Sequence, residues 1–227
     1  MLVKDRMTAN PMCGHPDMSV TEAQALMREK GFRHLPVVDD DKLVGLITQR
    51  SLLRALPSDV SNFSRFEVSY VLAKIKARDV MTKDVVTVGE NTALEEAARI
   101  MADQKIGCLP VMRDNELIGI ITDNDVFTIM VDLLGARRTG IRVTVLFPDR
   151  AGEVARISTA IAKEGGYLSV FVAYPTADPS IWAAVCKVTN IPRKQLIEIV
   201  DRLEDAEIED IREIELADSQ FHLEWLR

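Results

Sequence analysis

The chain has 227 residues, a formal net charge of −7 and a pI near 5.1. That length admits one or two domains with a substantial core. The acidic balance argues against gripping nucleic acid or an anionic membrane through a bulk field, since either needs a basic face, and leaves room for a small anionic ligand in a local cationic pocket.

The N-terminus has Lys4 and Arg6 but no apolar stretch behind them, and no run approaches the roughly 18 apolar residues of a membrane span, so the cytosol is the expected compartment. Cys13-x-His15-x-Asp17 comes next and lacks the second Cys or His pair that a metal shell needs. Cys13, Cys108 and Cys186 lie far apart without a C-x-x-C pair, which indicates neither a disulfide framework nor a thiolate zinc site. Val20, Ala23, Leu26 and Met27 recur at helical spacing behind a capping box from Ser19 to Glu22. Strands are predicted at Leu35 to Val38 and Leu43 to Thr48, flanking the polar turn Asp39-Asp40-Asp41-Lys42. A second helix begins with Leu52, Leu53 and Leu56.

Residues 57–77 read as a loop followed by a short amphipathic helix around Phe66 to Leu72. The pattern then starts again. Shifted forward by 74 positions, residues 5–56 fall on Asp79 to Met130, and 8 of the 14 positions from Leu35 to Thr48 are identical to their mates. Leu94, Ala97, Ile100 and Met101 repeat the helix, with Thr92 to Glu95 as a capping box one residue out of step. Leu109 to Met112 and Glu116 to Thr122 repeat the hairpin, and Val126, Phe127, Met130 and Leu133 the closing helix. An internal repeat of this length is one supersecondary unit built twice, each copy burying its apolar face on the other. Thr48 and Thr122 sit where a strand hands over to a helix, where unpaired N–H groups and the dipole favour an anion. Thr122 and Asp125, one turn apart, are suited to a phosphate and a ribose.

The doubled pattern Met-Thr, helix, Leu-Pro-Val, Leu-x-Gly-x-Ile-Thr resembles the cystathionine-β-synthase (CBS) domain over residues 5–134, as a tandem pair. The resemblance implies two β-α-β-β-α domains enclosing clefts that commonly hold AMP, ATP or S-adenosylmethionine, with no cofactor required. Copy two keeps Thr122 and the ribose-binding Asp125, with Val86 and Thr87 near the base and Gly107 and Cys108 ahead of Pro110. Copy one reads Thr48-Gln49-Arg50-Ser51, so its ribose carboxylate is replaced by Ser51. It carries instead Arg33-His34, a cationic pair placed for phosphates. One competent adenosyl site is therefore expected, with Thr122 and Asp125 on the sugar and Arg33 and His34 on phosphate, and a second cleft that is weak or empty.

After Gly140 a clean alternation begins, Ile141, Val143, Val145 and Phe147 sharing one face. A helix follows with Val154, Ile157, Ser158 and Ile161 on one side, ended by Gly165-Gly166. Strands at Tyr167 to Tyr174 and Ile181 to Val188, a helix opening at Pro192 with Leu196, Ile199, Val200 and Leu203 inward, and a strand at Ile208 to Ile214 complete β-α-β-β-α-β, the ferredoxin-like order. Eight acidic residues between Asp201 and Glu215 read as a solvated face on an edge strand. With Asp149, Arg150, Ala151 and Gly152 after the first strand, residues 141–215 resemble an ACT domain, whose ligand loop would hold an amino acid; Tyr167 stands where binding members often have Asn.

The expected division of this α+β chain is a CBS domain at 1–60, a connector at 61–76, a CBS domain at 77–136, an ACT domain at 140–216 and a tail at 217–227. That order resembles the acetoin-utilisation protein B family, which implies regulation and specifies no reaction. No arrangement of nucleophile and base supports an enzyme. The leading expectation is a nucleotide sensor that signals through a homodimer or a partner enzyme, with no nucleic acid and no membrane. The alternative is a structural homodimer with vestigial clefts, and the apolar tail around Trp225 is expected to dock within such a dimer.

Overall fold

The structure, a computed structural model, describes residues 1–54 and 74–215. The amphipathic helix expected around Phe66 to Leu72, Leu56 and the tail with His222 and Trp225 lie outside the described residues. The chain forms two compact units, Met1–Phe127 and Thr128–Arg227.

In the first unit the 74-residue offset holds element by element. Helix α1 (Val20–Lys30) and hairpin β2 (His34–Asp39) and β3 (Lys42–Thr48) have as mates helix α4 (Leu94–Gln104) and hairpin β5 (Cys108–Arg113) and β6 (Glu116–Thr122). Each hairpin carries the same bulge, at Val37/Val38 and Val111/Met112. Helix α2 (Gln49–Arg54) follows β3 and helix α5 (Asp123–Leu133) follows β6. A short helix α3 (Ala77–Val80) opens the second copy.

Local chemistry explains the helix ends. The Glu22 carboxylate accepts from Ser19 N at 2.7 Å while Ser19 Oγ accepts from Glu22 N at 3.2 Å, a closed capping box. Gly31 stops α1 with φ +74°, a left-handed position that glycine takes without strain. The box expected from Thr92 to Glu95 does not form. Helix α4 begins one residue later than that box requires, and its N-cap, Ala93, is the mate of Ser19 without the hydroxyl.

The two copies exchange their first strands. Strand β1 (Thr8–Ala9) pairs with β6 of the other copy, Thr8 opposite Ile120. Reciprocally, Thr82 and Leu46 exchange both backbone hydrogen bonds at 2.9 Å. Beyond the exchange each chain returns to its own hairpin, Gly14 bridging Val37 and strand β4 (Val88–Gly89) lying parallel to β5. Ala77, at the start of copy two, is buried in the core of copy one with Val20, Ala23, Met27, Leu35, Val37, Ile47 and Leu52. Each Val, Leu, Ile or Met side chain among them contributes about 1.5–3 kcal/mol on full burial, so separating the copies would expose part of this core.

The second unit contains β7 (Gly140–Pro148), α6 (Glu153–Lys163), β8 (Tyr167–Pro175), β9 (Ile181–Thr189), α7 (Arg193–Asp201) and β10 (Glu207–Ile214). Its antiparallel sheet has the order β10-β7-β9-β8. Ile141, Val143, Val145 and Phe147 pack with Ile157 and Ile161 of α6 and Leu196, Ile199 and Val200 of α7. Val154 departs from its expected place: it is 50% exposed, whereas Glu153, one turn before Ile157, is buried. Glu153 can sit there because the guanidinium groups of Arg150 and Arg156 both pair with its carboxylate. The acidic strand β10 is an edge of the sheet.

Candidate functional site

Strand exchange places the start of each post-hairpin helix against the N-terminal segment of the other copy, and two clefts result. The first, about 610 Å³, is lined by Thr8, Asn10, Pro11 and Met12, by the loop Gly31 to His34, and by Ile120, Thr122, Asn124 and Asp125. Every one of these residues has its mate, 74 positions away, on the wall of the second cleft, about 490 Å³. Thr48 and Ser51 there take the places of Thr122 and Asp125.

In the first cleft Asp125 Oδ2 accepts from both the N–H and the hydroxyl of Thr122, each at 2.8 Å. Among the described residues Oδ1 has no hydrogen-bond partner, so half of the carboxylate fixes the strand-to-helix junction and half is free to accept from a ligand. Ser51 does the junction's work with nothing to spare: its hydroxyl accepts from Thr48 N and donates to Thr48 O, both at 2.9 Å. A neutral oxygen already used in this way is a poor partner for a vicinal diol.

Arg33 and His34 line both clefts. The Arg33 guanidinium lies 3.5 Å from Asp123 Oδ1 and stays largely exposed. Burial pushes the His34 imidazole pKa down; Asp123 and Asp125 pull it up and Arg33 presses it down, and the net is a lowered value. Gly107 leaves room for this arrangement, because a Cβ there would stand 3.2 Å from His34 Nε2 and 3.3 Å from Asp123 Oδ2. Burial, aided by Asp123, pushes the Cys108 thiol up to about 12, so it is a cleft wall and no nucleophile.

The residues expected at one adenosyl site are thus divided. The structure brings Thr122, Asp125, Arg33 and His34 around the first cleft. It places Val86, Gly107 and Cys108 on the second, with Thr48 and Ser51, because each helix start faces the opposite copy's loop. Thr87 and Pro110 line neither; Thr87 is exposed, and Pro110 is buried within β5. Sequence reasoning missed Asn10, Met12 and Asn124 in the first cleft and Arg50, Arg54, Lys105 and Asp84 in the second. Applying the offset to loops as well as strands would have found the mates Asn124 and Arg50, or Asn10 and Asp84.

In the second unit the loop Asp149 to Gly152 is tied to its own unit. Asp149 N donates to Ser180 O at 2.8 Å, Arg150 donates to Glu153 and, at 3.1 Å, to Asp205, and Gly152 is left-handed at φ +94°. Burial opposes ionisation of Glu153, yet the hydrogen bonds from Arg156 and Arg150 prevail and hold its carboxyl below the ordinary value. Ala151 is an exposed loop residue. Among the described residues no group of His, Cys, Asp and Glu is arranged to hold a metal, and no helix is long and apolar enough to cross a membrane.

Two α/β repeats with exchanged first strands enclose a pair of equivalent clefts and define a tandem-repeat module. The CBS domain matches residues 3–58 and 77–132, and the chain belongs to the CBS-domain family. It is similar to inosine-5'-monophosphate dehydrogenase of Korarchaeum cryptofilum, 40% identical over 127 residues, 56% of this chain and 22% of that one. This similarity lies in the CBS portion and not in the catalytic domain. It is also similar to the uncharacterized protein MJ1225 of Methanocaldococcus jannaschii, 34% identical over 128 residues, 55% of this chain and 45% of that one. The chain therefore spans less than half the length of these curated relatives. The solved structure of MJ1225, described as an archaeal homolog of g-AMPK, superimposes with a TM-score of 0.51 at 32% identity, covering 57% of this chain and 47% of that one. A Vibrio cholerae protein assigned to acetoin utilization (AcuB) superimposes with a TM-score of 0.50 at 36% identity, covering 60% of this chain and 95% of that chain. CBS-domain pairs are in general regulatory.

Proposed function

We propose that this protein is a non-catalytic sensor that binds an adenosine-containing nucleotide in the first cleft and passes the bound state through its C-terminal unit to a second copy or to a partner enzyme. The observation that carries the reading is the divided Asp125 carboxylate: Oδ2 holds Thr122 while Oδ1 remains available to the ribose hydroxyls. The phosphate is left to the side chains of the cleft, because the first N–H groups of α5 are already taken: Asp123 N donates to Gly107 O at 3.0 Å, Asn124 N to Asp123 Oδ1 at 2.8 Å and Asp125 N to Thr122 Oγ1 at 3.3 Å. Arg33 stands across the same cleft as its cation for phosphate, the neutral His34 imidazole beside it offers a ring N–H, and Ile120, Met12 and Phe32 offer apolar surface to the base.

The C-terminal unit is read as an ACT domain with a dimerising role. Arg150 is already paired within its own unit, which leaves the expected amino-acid loop without a free cation among its four residues. Strand β8 supports self-association: this edge of the sheet has no charged residue over its nine positions and exposes Tyr167 and Tyr174, whereas the other edge, β10, carries five charged residues. Uncharged edges are open to strand pairing, and charged ones resist it.

A thermal-shift and calorimetry series with AMP, ADP, ATP, S-adenosylmethionine and amino acids tests the reading. A ligand at 100 times its dissociation constant stabilises the fold by about 2.7 kcal/mol, which raises the melting temperature by several degrees at this size. A flat response to every adenosine compound would favour a structural dimer with vestigial clefts.

A further inference from the structure

The second cleft differs from the first in charge more than in shape. At mates of neutral positions it has gained cations: Arg50 stands where the first cleft has Asn124, and Lys105 where it has Gly31. It has lost the ribose carboxylate, since Ser51 replaces Asp125. Arg54 joins the wall, and Arg33 reaches it past Gly107, so four cations face two carboxylates, Asp84 and Asp123. Only Arg33 is paired, to Asp123; Arg50, Arg54 and Lys105 form no ion pair among the described residues. In a chain of net charge −7, three unpaired cations around one concavity of about 490 Å³ work against the overall field, and like charges gathered this way repel until an anion enters.

We infer that the second cleft is a site for an oligophosphate chain of three or more negative charges, bound through Arg50, Arg54 and Lys105 with no contribution from a ribose diol. Arg33 belongs to the walls of both clefts, so an oligophosphate that draws this guanidinium away from Asp123 changes the cation available to the first cleft. The two sites are thereby coupled through one side chain. This goes beyond the adenosine reading of the first cleft and does not depend on it.

The test uses the full chain and inorganic tripolyphosphate as probe, followed by calorimetry at low and moderate salt. Tripolyphosphate is expected to bind one per chain, with an affinity that falls as salt rises. Arg50→Gln and Lys105→Gln, both at exposed positions, should each weaken it about tenfold, the scale of a charge-assisted hydrogen bond. Lys194→Gln, at an exposed position of the second unit, should leave it unchanged. ATP distinguishes the source of the phosphates: if ATP binds this cleft no more tightly than tripolyphosphate, the site takes a free oligophosphate, and if it binds more tightly with the same loss in Arg50→Gln, the site takes a nucleotide's phosphate tail. The inference is overturned if tripolyphosphate does not bind, or if both Gln variants, shown by circular dichroism to be folded, bind it as the native chain does. A separate AMP titration keeps the two readings apart. AMP binding without tripolyphosphate binding sinks only this inference, and the converse sinks only the adenosine site.

Discussion

Gly45 lies directly beneath Met81, the methionine of the opposite copy's Met-Thr motif, and Gly119 lies in the same way beneath Met7. A Cβ on Gly45 would overlap the Met81 side chain, with its Cγ at 2.7 Å and its Cβ at 3.1 Å; one on Gly119 would meet Met7 Cγ at 3.0 Å and Thr8 O at 3.2 Å. The Leu-x-Gly and Met-Thr signatures are therefore two halves of one contact, made twice across the seam. Gly45→Ala and Gly119→Ala should each destabilise the first unit by roughly 1–3 kcal/mol, the usual cost of overpacking. Denaturant unfolding measures this. Adding Met81→Ala to Gly45→Ala should give a cost smaller than the sum of the two, because the residues touch.

Much of this seam was legible in the sequence. The offset fixed both hairpins and both first helices, because periodicity and turn residues act within a copy. The exchange of first strands was not legible: Thr8–Ala9 is a two-residue strand with no period to read, and nothing local distinguishes pairing with β3 from pairing with β6. Since the clefts arise from that exchange, Val86, Gly107 and Cys108 line the second cleft while Thr122, Asp125, Arg33 and His34 gather at the first. Val154 was misplaced for another reason. A hydrophobic pattern cannot anticipate that Arg150 and Arg156 make a buried Glu153 tolerable.

The asymmetry between Asp125 and Ser51 predicts a ranking of variants. Asp125→Ala should weaken AMP binding by about 1.5–3 kcal/mol, the range for a hydrogen bond to a charged group. Ser51→Ala should change it by less than about 0.5 kcal/mol, as substitutions outside a site usually do. Asp125→Ala also frees Thr122 N from its partner, so melting temperature must be measured beside affinity. An equal or reversed ranking in calorimetry would remove the first cleft from the function.

His34 supplies a pH dependence whose sign follows from its lowered pKa, which burial causes first and Arg33 reinforces against Asp123 and Asp125. The unfolded chain takes up this proton more readily than the folded one. The stability that neutral His34 contributes is fully present above the unfolded value of about 6.5 and is lost as pH falls from there toward the folded value. Melting temperature should therefore drop between pH 7.5 and pH 5.5, and His34→Gln should flatten that part of the profile. An unchanged profile in the variant would assign the titration elsewhere.

The thiols should react in a fixed order. Burial pushes both Cys108 and Cys186 up to about 12; it also raises the Cys13 thiol, but that residue is exposed and donates to Pro11 O at 3.3 Å. Iodoacetamide at mildly alkaline pH should label Cys13 in the native protein and all three after unfolding in guanidinium, as peptide mass mapping would show. Early labelling of Cys108 would mean that the second cleft opens far more than its packing allows.

Lys187 is a buried cation whose burial serves the turn after α5. Its Nζ donates to Gly135 O at 2.6 Å and to Arg138 O, and the residue is 4% exposed. Burial first, then the neighbouring Arg138 and Arg142, lowers its pKa, and no carboxylate is paired with it among the described residues. Its stabilising partners are thus two backbone carbonyls, and that of buried Gly135 would otherwise lack this donor. Lys187→Met keeps most of the side-chain volume and removes both bonds, so it should cost about 1–3 kcal/mol, the range for one buried acceptor left unsatisfied. Lys194→Met, at an 89% exposed side chain, should cost less than about 0.5 kcal/mol. Gly135 shares the constraint, since at φ +63° an added Cβ would stand 2.9 Å from Val170 Cγ2. Gly135→Ala should therefore lower stability in the same direction, and hydrogen exchange should show the amides of Gly135 and Arg138 losing protection in both variants. Native-like protection in Lys187→Met would mean that the ammonium is incidental to the turn.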